Sequence, residues 1–385
     1  MLNTVTRYLR RKHQPVMPQA LTIKKIDGRP GHVYYPLQIK QVPRPKAGPG
    51  ELLVRIHAAA LNHRDFFIRQ HLYPGISFES PLLADGFGTV VEAGPSIPSS
   101  ASSLVGQRVV LTPSRGWADS PDGPEDMTKF AVIGGSSMYP TGMAQDYVVV
   151  PAEEVELAPP HLTPHEAAAL PLVGITGWRA LVVKGLGGDI AGAAGRNVLV
   201  TGIGGGVALT VLQFAVALGC NVYVTSGDAA KLERARQLGA KGGVSYKEAG
   251  WEKQLAGQLP DSKPYLDVVV DGAGGDIVSK VVRIIKPGGV IASYGMTLGP
   301  KMDWTMQAVM KNIEIRGATM GSRAEFRDMV EFVRKHKIRP VVSRVVKGLD
   351  NIEGIDNLFE DMKKGKQFGK LVIEVSSPDE ASAKL

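Results

Sequence analysis

The sequence predicts an α/β protein of two parts, a doubly wound parallel sheet and a partly open antiparallel β-barrel. Three observations carry this expectation. Between residues 197 and 316, short and almost wholly apolar runs alternate with helical segments, as strands buried on both faces of a parallel sheet require. Between residues 21 and 150 the β-type runs are instead broken by Pro and Gly, with no helical pattern between most of them, which is how antiparallel strands read. At residues 197–208, N-V-L-V-T-G-I-G-G-G-V-A, one apolar run passes straight into a glycine-rich turn and then a helical pattern.

Taken in order, the barrel strands are expected at residues 52–58, 88–92, 108–111 and 146–150. The Pro/Ser-rich stretch 95–103 reads as a loop between two of them. Residues 113–141 form an irregular segment long enough to be a lid over a site or a tolerated insertion. Thr163 followed by Pro164 marks a helix start, with a hydroxyl cap and proline at the first helical position. Residues 170–178 then bridge the two parts.

The glycine turn is the chemically informative junction. Gly202 permits the tight bend, Gly205 lets the backbone approach a pyrophosphate with no Cβ in the way, and Ala208 is small enough for close packing of helix on strand. With Gly206 and Val207, these residues present the free N–H groups and positive dipole end of the helix to an anion. Further strands are expected at 221–225, 243–246, 266–271, 289–294 and 312–316, so the turn opens a Rossmann sheet that binds a dinucleotide. A helix at 323–335 and a strand at 370–375 are expected to return to the first part. The expected boundaries are a basic extension at 1–16, the first part of a catalytic domain at 17–169, the dinucleotide domain at 170–317, and the return with a C-terminal tail at 318–385. Such an insertion leaves a cleft between two bodies.

A chain of 385 residues suits two domains, and its 44% hydrophobic content is ample for their cores. No run of about eighteen apolar residues occurs, so no membrane span is expected. The single cysteine, Cys220, can make neither an intrachain disulfide nor a cysteine-rich zinc site, which points to a reducing, cytoplasmic setting. The net charge of +8 is dispersed, without an arginine-aromatic tract, and nucleic acid is not an expected partner. Arg7, Arg10, Arg11 and Lys12, with no acidic residue before Asp27, leave a mitochondrial presequence open against a plain basic extension ahead of Met17.

Several motifs in fixed order carry a family resemblance: A-A-L-N-H-R-D at 59–65, A-A-A-L-P at 167–171, the glycine turn, L-G-A-K at 238–241, R-G-A-T-M-G at 316–321 and F-G-K-L-V at 368–372. Together, over residues 21–375, they resemble the medium-chain dehydrogenase/reductase superfamily, and within it the zinc-free quinone oxidoreductase and enoyl reductase branch. The resemblance implies a GroES-like catalytic barrel beside the Rossmann sheet. Where zinc-dependent members carry Cys, His and Cys, this chain has Asn62, Ala84 and Leu172; two of these have no donor atom, and no metal is expected. His57, His63 and His71 fit no metal spacing and read as packing or surface residues.

Without a Lewis acid, a simple carbonyl is a poor hydride acceptor, whereas a quinone or an α,β-unsaturated carbonyl delocalises the incoming charge. Asn62 is the first candidate donor to that charge, Arg64 or Tyr73 adds a donor or positive field, and Asp65 is expected to hold the loop. The second Rossmann strand ends in Thr225-Ser226-Gly227, with no carboxylate to select NADH. By resemblance, Ser226, Lys231 and Tyr246 match the residues that take a 2′-phosphate, so NADPH is favoured unless Asp228 turns inward. The resemblance also places Thr176, Gly272, Ala273, Ser293, Tyr294 and Gly295 by the nicotinamide and ribose, and Gly369 and Lys370 near the phosphates. A homodimer paired through an apolar edge strand at 289–294 is expected from the same branch. A zinc-type alcohol dehydrogenase and an NADPH-binding sensor without turnover stay open as alternatives, and the identity of the acceptor is not written in the chain.

Overall fold

The computed structural model describes residues 17–97 and 102–376; the basic extension at 1–16, the middle of the 95–103 loop and the tail from 377 lie outside the described residues. Strands β1 (Gln19–Ile23) and β2 (Leu37–Gln41) pair antiparallel as a hairpin at the start. The catalytic sheet is built on β3 (Glu51–Ala60), which pairs antiparallel with β4 (Asp85–Ala93), itself paired with β5 (Arg108–Leu111). A two-residue ladder joins β6 (Ser114–Arg115) to β7 (Ala131–Val132) within the long irregular segment. Then β8 (Tyr147–Pro151) adds to β3, and β9 (Val155–Leu157) to β5. The β3 register slips twice against β4, and such bulges curl a sheet.

The second sheet has six parallel strands: β10 (Asn197–Val200), β11 (Asn221–Ser226), β12 (Gly242–Ser245), β13 (Leu266–Asp271), β14 (Ile285–Ser293) and β15 (Glu314–Gly317). Their spatial order, β12-β11-β10-β13-β14-β15, reverses direction at the β10/β13 boundary. That boundary is the switch point, where loops leave in opposite directions and open a crevice. Every residue of β10 and β13 is buried, the apolar majority as strands covered on both faces require and Asn197, Asp267 and Asp271 with hydrogen-bond partners.

The chain then returns: β16 (Val342–Lys347) and β17 (Lys370–Glu374) join the catalytic sheet, with Val372 opposite Ala60 on β3. The helices Arg323–His336 and Ile352–Lys363 accompany the return. Sequence pattern had not announced β1, β2, β16 or the second of these helices. Among the described residues, no helix is long and apolar enough to cross a membrane.

One expectation is corrected. Residues 289–294 are not an edge strand, because β14 is paired with β13 on one side and β15 on the other. The edges of this sheet are β12 and β15, the latter a short strand of sequence E-I-R-G. Trp304, Met306, Val309, Met310 and Ile315, on β15 and in the segment before it, are exposed.

Candidate active site

A cleft of about 900 Å³ runs along the crevice between the two sheets. Its floor on the dinucleotide side is the turn after β10. Gly202 holds φ +65°, and a Cβ at Gly202 or Gly205 would meet nothing within 4 Å. That open space in front of two bare α-carbons, at the N-terminus of the twelve-residue helix Gly206–Ala217, fits a dinucleotide phosphate. Gly206 differs: its Cβ would lie 2.8 Å from Val173 Cγ1 and 2.9 Å from Lys370 Cδ, so this glycine serves packing between the two bodies. Gly204 (φ +124°) accepts a hydrogen bond from the Gly369 N–H (2.9 Å), which ties the return strand to the turn.

Beyond β13, the buried Asp271 carboxylate accepts from Thr201 Oγ1 (2.6 Å) and from the Gly274 N–H (2.8 Å), holding the two loops at the switch point together. Burial pushes this carboxyl upward, opposed by those same hydrogen bonds. Tyr294 lies against Gly272, where a Cβ would come within 2.5 Å of its ring, so Gly272 is bare for the tyrosine. Burial, then the charge of Asp271, raises the Tyr294 phenol and keeps it protonated.

The opposite wall belongs to the catalytic domain. Asn62 precedes the short helix His63–Arg69, and its N–H donates to the Asp65 carboxylate (2.8 Å). Asp65 is fully buried; burial pushes its carboxyl up to about 6 while Arg64 pulls it back, and it clasps the loop from behind. The Asn62 amide is fixed by two opposite charges. Lys370 Nζ donates to Asn62 Oδ1 (2.6 Å), to the Leu61 carbonyl (2.6 Å) and to Asp85 Oδ2 (2.7 Å), while Asn62 Nδ2 donates to that same Asp85 oxygen (2.9 Å). Asp85 Oδ1 accepts from the Leu172 N–H (2.7 Å). An ammonium needs the amide oxygen and a carboxylate needs the amide nitrogen, so the rotamer has one orientation and leaves one Nδ2 hydrogen uncommitted.

The cleft brings together Asn62, Arg64, Tyr73, Thr176, Gly202, Gly205, Gly206, Val207, Gly272, Ala273, Tyr294, Gly295, Gly369 and Lys370. It leaves out Asp65, which lies behind the wall, Ser293, whose hydroxyl donates to the Gly295 carbonyl, and Ser226, Lys231 and Tyr246. Lys370 is on the wall by its stem, but its ammonium is buried in the Asp85 network and does not reach toward the glycine turn. Ser226 and Tyr246 flank Gly227 at the end of β11, and the Tyr246 hydroxyl would sit 2.7 Å from a Cβ there. Asp228 is exposed and caps the next helix through the Ala230 N–H (2.9 Å), so it does not turn inward. Lys231 lies across Gly204 and donates to the Gly365 carbonyl (2.6 Å). Asp85 was missed in sequence; its only cue was its place beside Ala84.

His57 is buried and bonded to Thr89 Oγ1 (2.9 Å), His71 to the Tyr35 hydroxyl (2.5 Å), and His63 lines the cleft alone. At the three zinc-donor positions, Ala84 is buried in an apolar cluster, Leu172 offers only carbon, and the Asn62 oxygen is taken by an ammonium. These residues do not fit a zinc ion. Among the described residues, no group of three or more His, Cys, Asp and Glu side chains is placed to hold a metal.

The segment 113–141 is anchored to the rest. Arg179, buried, donates to Glu325 (2.5 Å) and to the Pro121 carbonyl (2.7 Å) and stacks on Trp117, while the Arg323 and Ala324 N–H groups donate to Trp117 and Ala118 carbonyls.

Both domains have counterparts among known proteins. Residues 48–160 match the alcohol dehydrogenase GroES-like domain, and residues 206–335 match the zinc-binding dehydrogenase family. A zinc-type alcohol dehydrogenase-like protein, YogA of Leptosphaeria maculans, is 57% identical over 93% of this chain and 100% of its own length. A zinc-type alcohol dehydrogenase-like protein of Schizosaccharomyces pombe is 32% identical over 87% of this chain and 93% of its own. A solved NAD-dependent alcohol dehydrogenase superposes with a TM-score of 0.78 at 29% identity, covering 93% of this chain and 100% of that one.

Proposed function

Because this chain belongs to the medium-chain dehydrogenase/reductase superfamily, as an oxidoreductase whose family uses a nicotinamide cofactor, we propose that it is a zinc-independent, NADPH-dependent reductase of quinones or α,β-unsaturated carbonyls. The observation that carries this reading is the Asn62–Lys370–Asp85 network, at a position that the family resemblance aligns with the first zinc donor of zinc-dependent members. The bound cofactor supplies hydride. The chain's own residues then have one task, to stabilise negative charge spreading onto an acceptor oxygen. The uncommitted Asn62 N–H is the donor for that charge, and Lys370 and Asp85 hold its amide in place. Arg64 and Tyr73 add a positive field and a phenol on the same wall.

A conjugated acceptor suits such donors because its charge is delocalised before it reaches them. A simple ketone concentrates charge on one oxygen and wants the Lewis acid for which this site has no ligands. Purified protein is expected to oxidise NADPH when offered a quinone or an enal and to be inactive with a saturated ketone. Failure with every conjugated acceptor, or zinc at about one ion per chain by elemental analysis, refutes the proposal.

Preference for NADPH rests on the absence of a carboxylate at the end of β11 and on Asp228 facing solvent. Lys231 reaches the turn from the following helix, and burial lowers the pKa of its amine. Lys231→Glu is expected to raise KM for NADPH by about tenfold or more, with NADH much less affected. Equal losses for both cofactors would remove Lys231 from 2′-phosphate recognition.

A further inference from the structure

Resting on that hydride-transfer reading, we infer that the acceptor taken by this cleft carries a carboxylate, gripped by the unused edge of the Arg64 guanidinium. Arg64 lines the cleft and is 8% exposed. Its Nη1 is fully engaged, donating to the Ile133 and Gly134 carbonyls (2.9 Å each) and to Asp65 Oδ1 (3.3 Å). Its Nε and Nη2 are buried and have no hydrogen-bond partner among the described residues. Those two nitrogens share one edge of the planar group, and their N–H bonds run parallel, the fork that matches the two oxygens of a carboxylate.

A buried cation with an unmet fork is costly, because each unpaired donor has lost its water without replacement. Nothing in the fold requires that cost. The Nη1 side alone anchors the arginine to the loop, and Asp65 already balances part of its charge. Arg64 Cζ lies over the Tyr73 ring, 4.5 Å from its centroid, so the tyrosine meets the guanidinium through its ring rather than by a hydrogen bond to Nε or Nη2. Tyr73 is half-buried, between exposed Leu72 and Pro74. Phe67, Leu72 and Val132 supply apolar wall for a carbon skeleton on the same side.

The other Lys or Arg lining the cleft, Lys370, is committed to Asp85 and Asn62. An anion entering on the catalytic wall therefore has Arg64 as its cationic partner. The same oxyanion chemistry has a second source in a cofactor phosphate. The glycine turn and its helix N-terminus already offer backbone donors for that group, from the opposite wall.

The test compares 4-oxo-2-pentenoate with its methyl ester, using wild-type protein and Arg64→Lys, which keeps the charge and loses the fork. Wild type is expected to favour the acid over the ester in kcat/KM by about thirtyfold or more, and Arg64→Lys to collapse that ratio toward one. Calorimetric titration of the NADP⁺ complex with the saturated, unreactive 4-oxopentanoate reads the same fork without hydride transfer. Binding that is present in wild type and lost in Arg64→Lys supports the carboxylate site even if no acceptor turns over. Wild type that prefers the ester, and fails to bind 4-oxopentanoate, overturns the inference with no variant needed. An acid-to-ester ratio unchanged in Arg64→Lys overturns it as well. So does an Arg64→Lys protein whose loss lies in NADPH affinity, which would assign the fork to a cofactor phosphate.

Discussion

Replacing Lys370 with methionine is expected to destabilise the protein by about 3–5 kcal/mol, read as a lower unfolding midpoint in denaturant. The magnitude follows from what stays behind. Asp85 is fully buried, and Lys370 Nζ, 2.7 Å away, is its only cationic hydrogen-bond partner among the described residues. Removing the ammonium leaves an uncompensated carboxylate in the interior and frees the Asn62 oxygen. Adding Asp85→Asn in the same chain is expected to restore most of the stability, because an amide at 85 can pair with an Asn62 amide that has flipped. Activity should not return, since the flip withdraws the Asn62 N–H from the cleft. A single variant that loses less than about 1 kcal/mol would mean the pair does not hold the site. A double variant with full activity would mean that Asn62 orientation does not matter to the reaction.

Gly205→Val is expected to leave the fold intact and to weaken dinucleotide binding by about a hundredfold, measured by fluorescence titration. Gly205 sits at φ −74° and ψ 152°, a conformation any residue adopts, and a Cβ there meets nothing. Its stability change should stay within about 1 kcal/mol, the scale of altering a helix cap. What the new side chain would fill is the approach to the helix N–H groups. The adjacent Gly206→Ala provides the contrast. Its methyl would press on Val173 and Lys370, so it should lower stability by about 1–3 kcal/mol. If Gly205→Val binds dinucleotide normally, the open space at this turn is not where the phosphates go.

Much of the architecture was legible because it is local. The apolar runs that became β10, β11 and β13, the turn at Gly202, and the cap at Thr163 with its hydrogen bond to the Glu166 N–H each depend on a few adjacent residues. The strands β1, β2 and β16 were not legible, since their mixed sequences Q-A-L-T-I, L-Q-I-K-Q and V-S-R-V-V-K lack a clean period. The site divides in the same way. Motif order pointed to Asn62, Arg64 and the glycine turn, and the fold gathers them around one cleft.

The sequence alone determined the alternation of strands and helices in the parallel sheet, the glycine turn that follows its first strand, and the lack of donor atoms at Ala84 and Leu172, because each is a property of residue type and near spacing. Only the tertiary structure decided that β14 is internal with β15 outside it, that Lys370 turns its head away from the turn toward Asp85, and that the Arg64 Nε and Nη2 have no partner among the described residues. Those outcomes depend on pairings between residues as far apart as Lys370 and Asn62, separated by 308 positions, and no local pattern encodes which distant group a buried charge will meet.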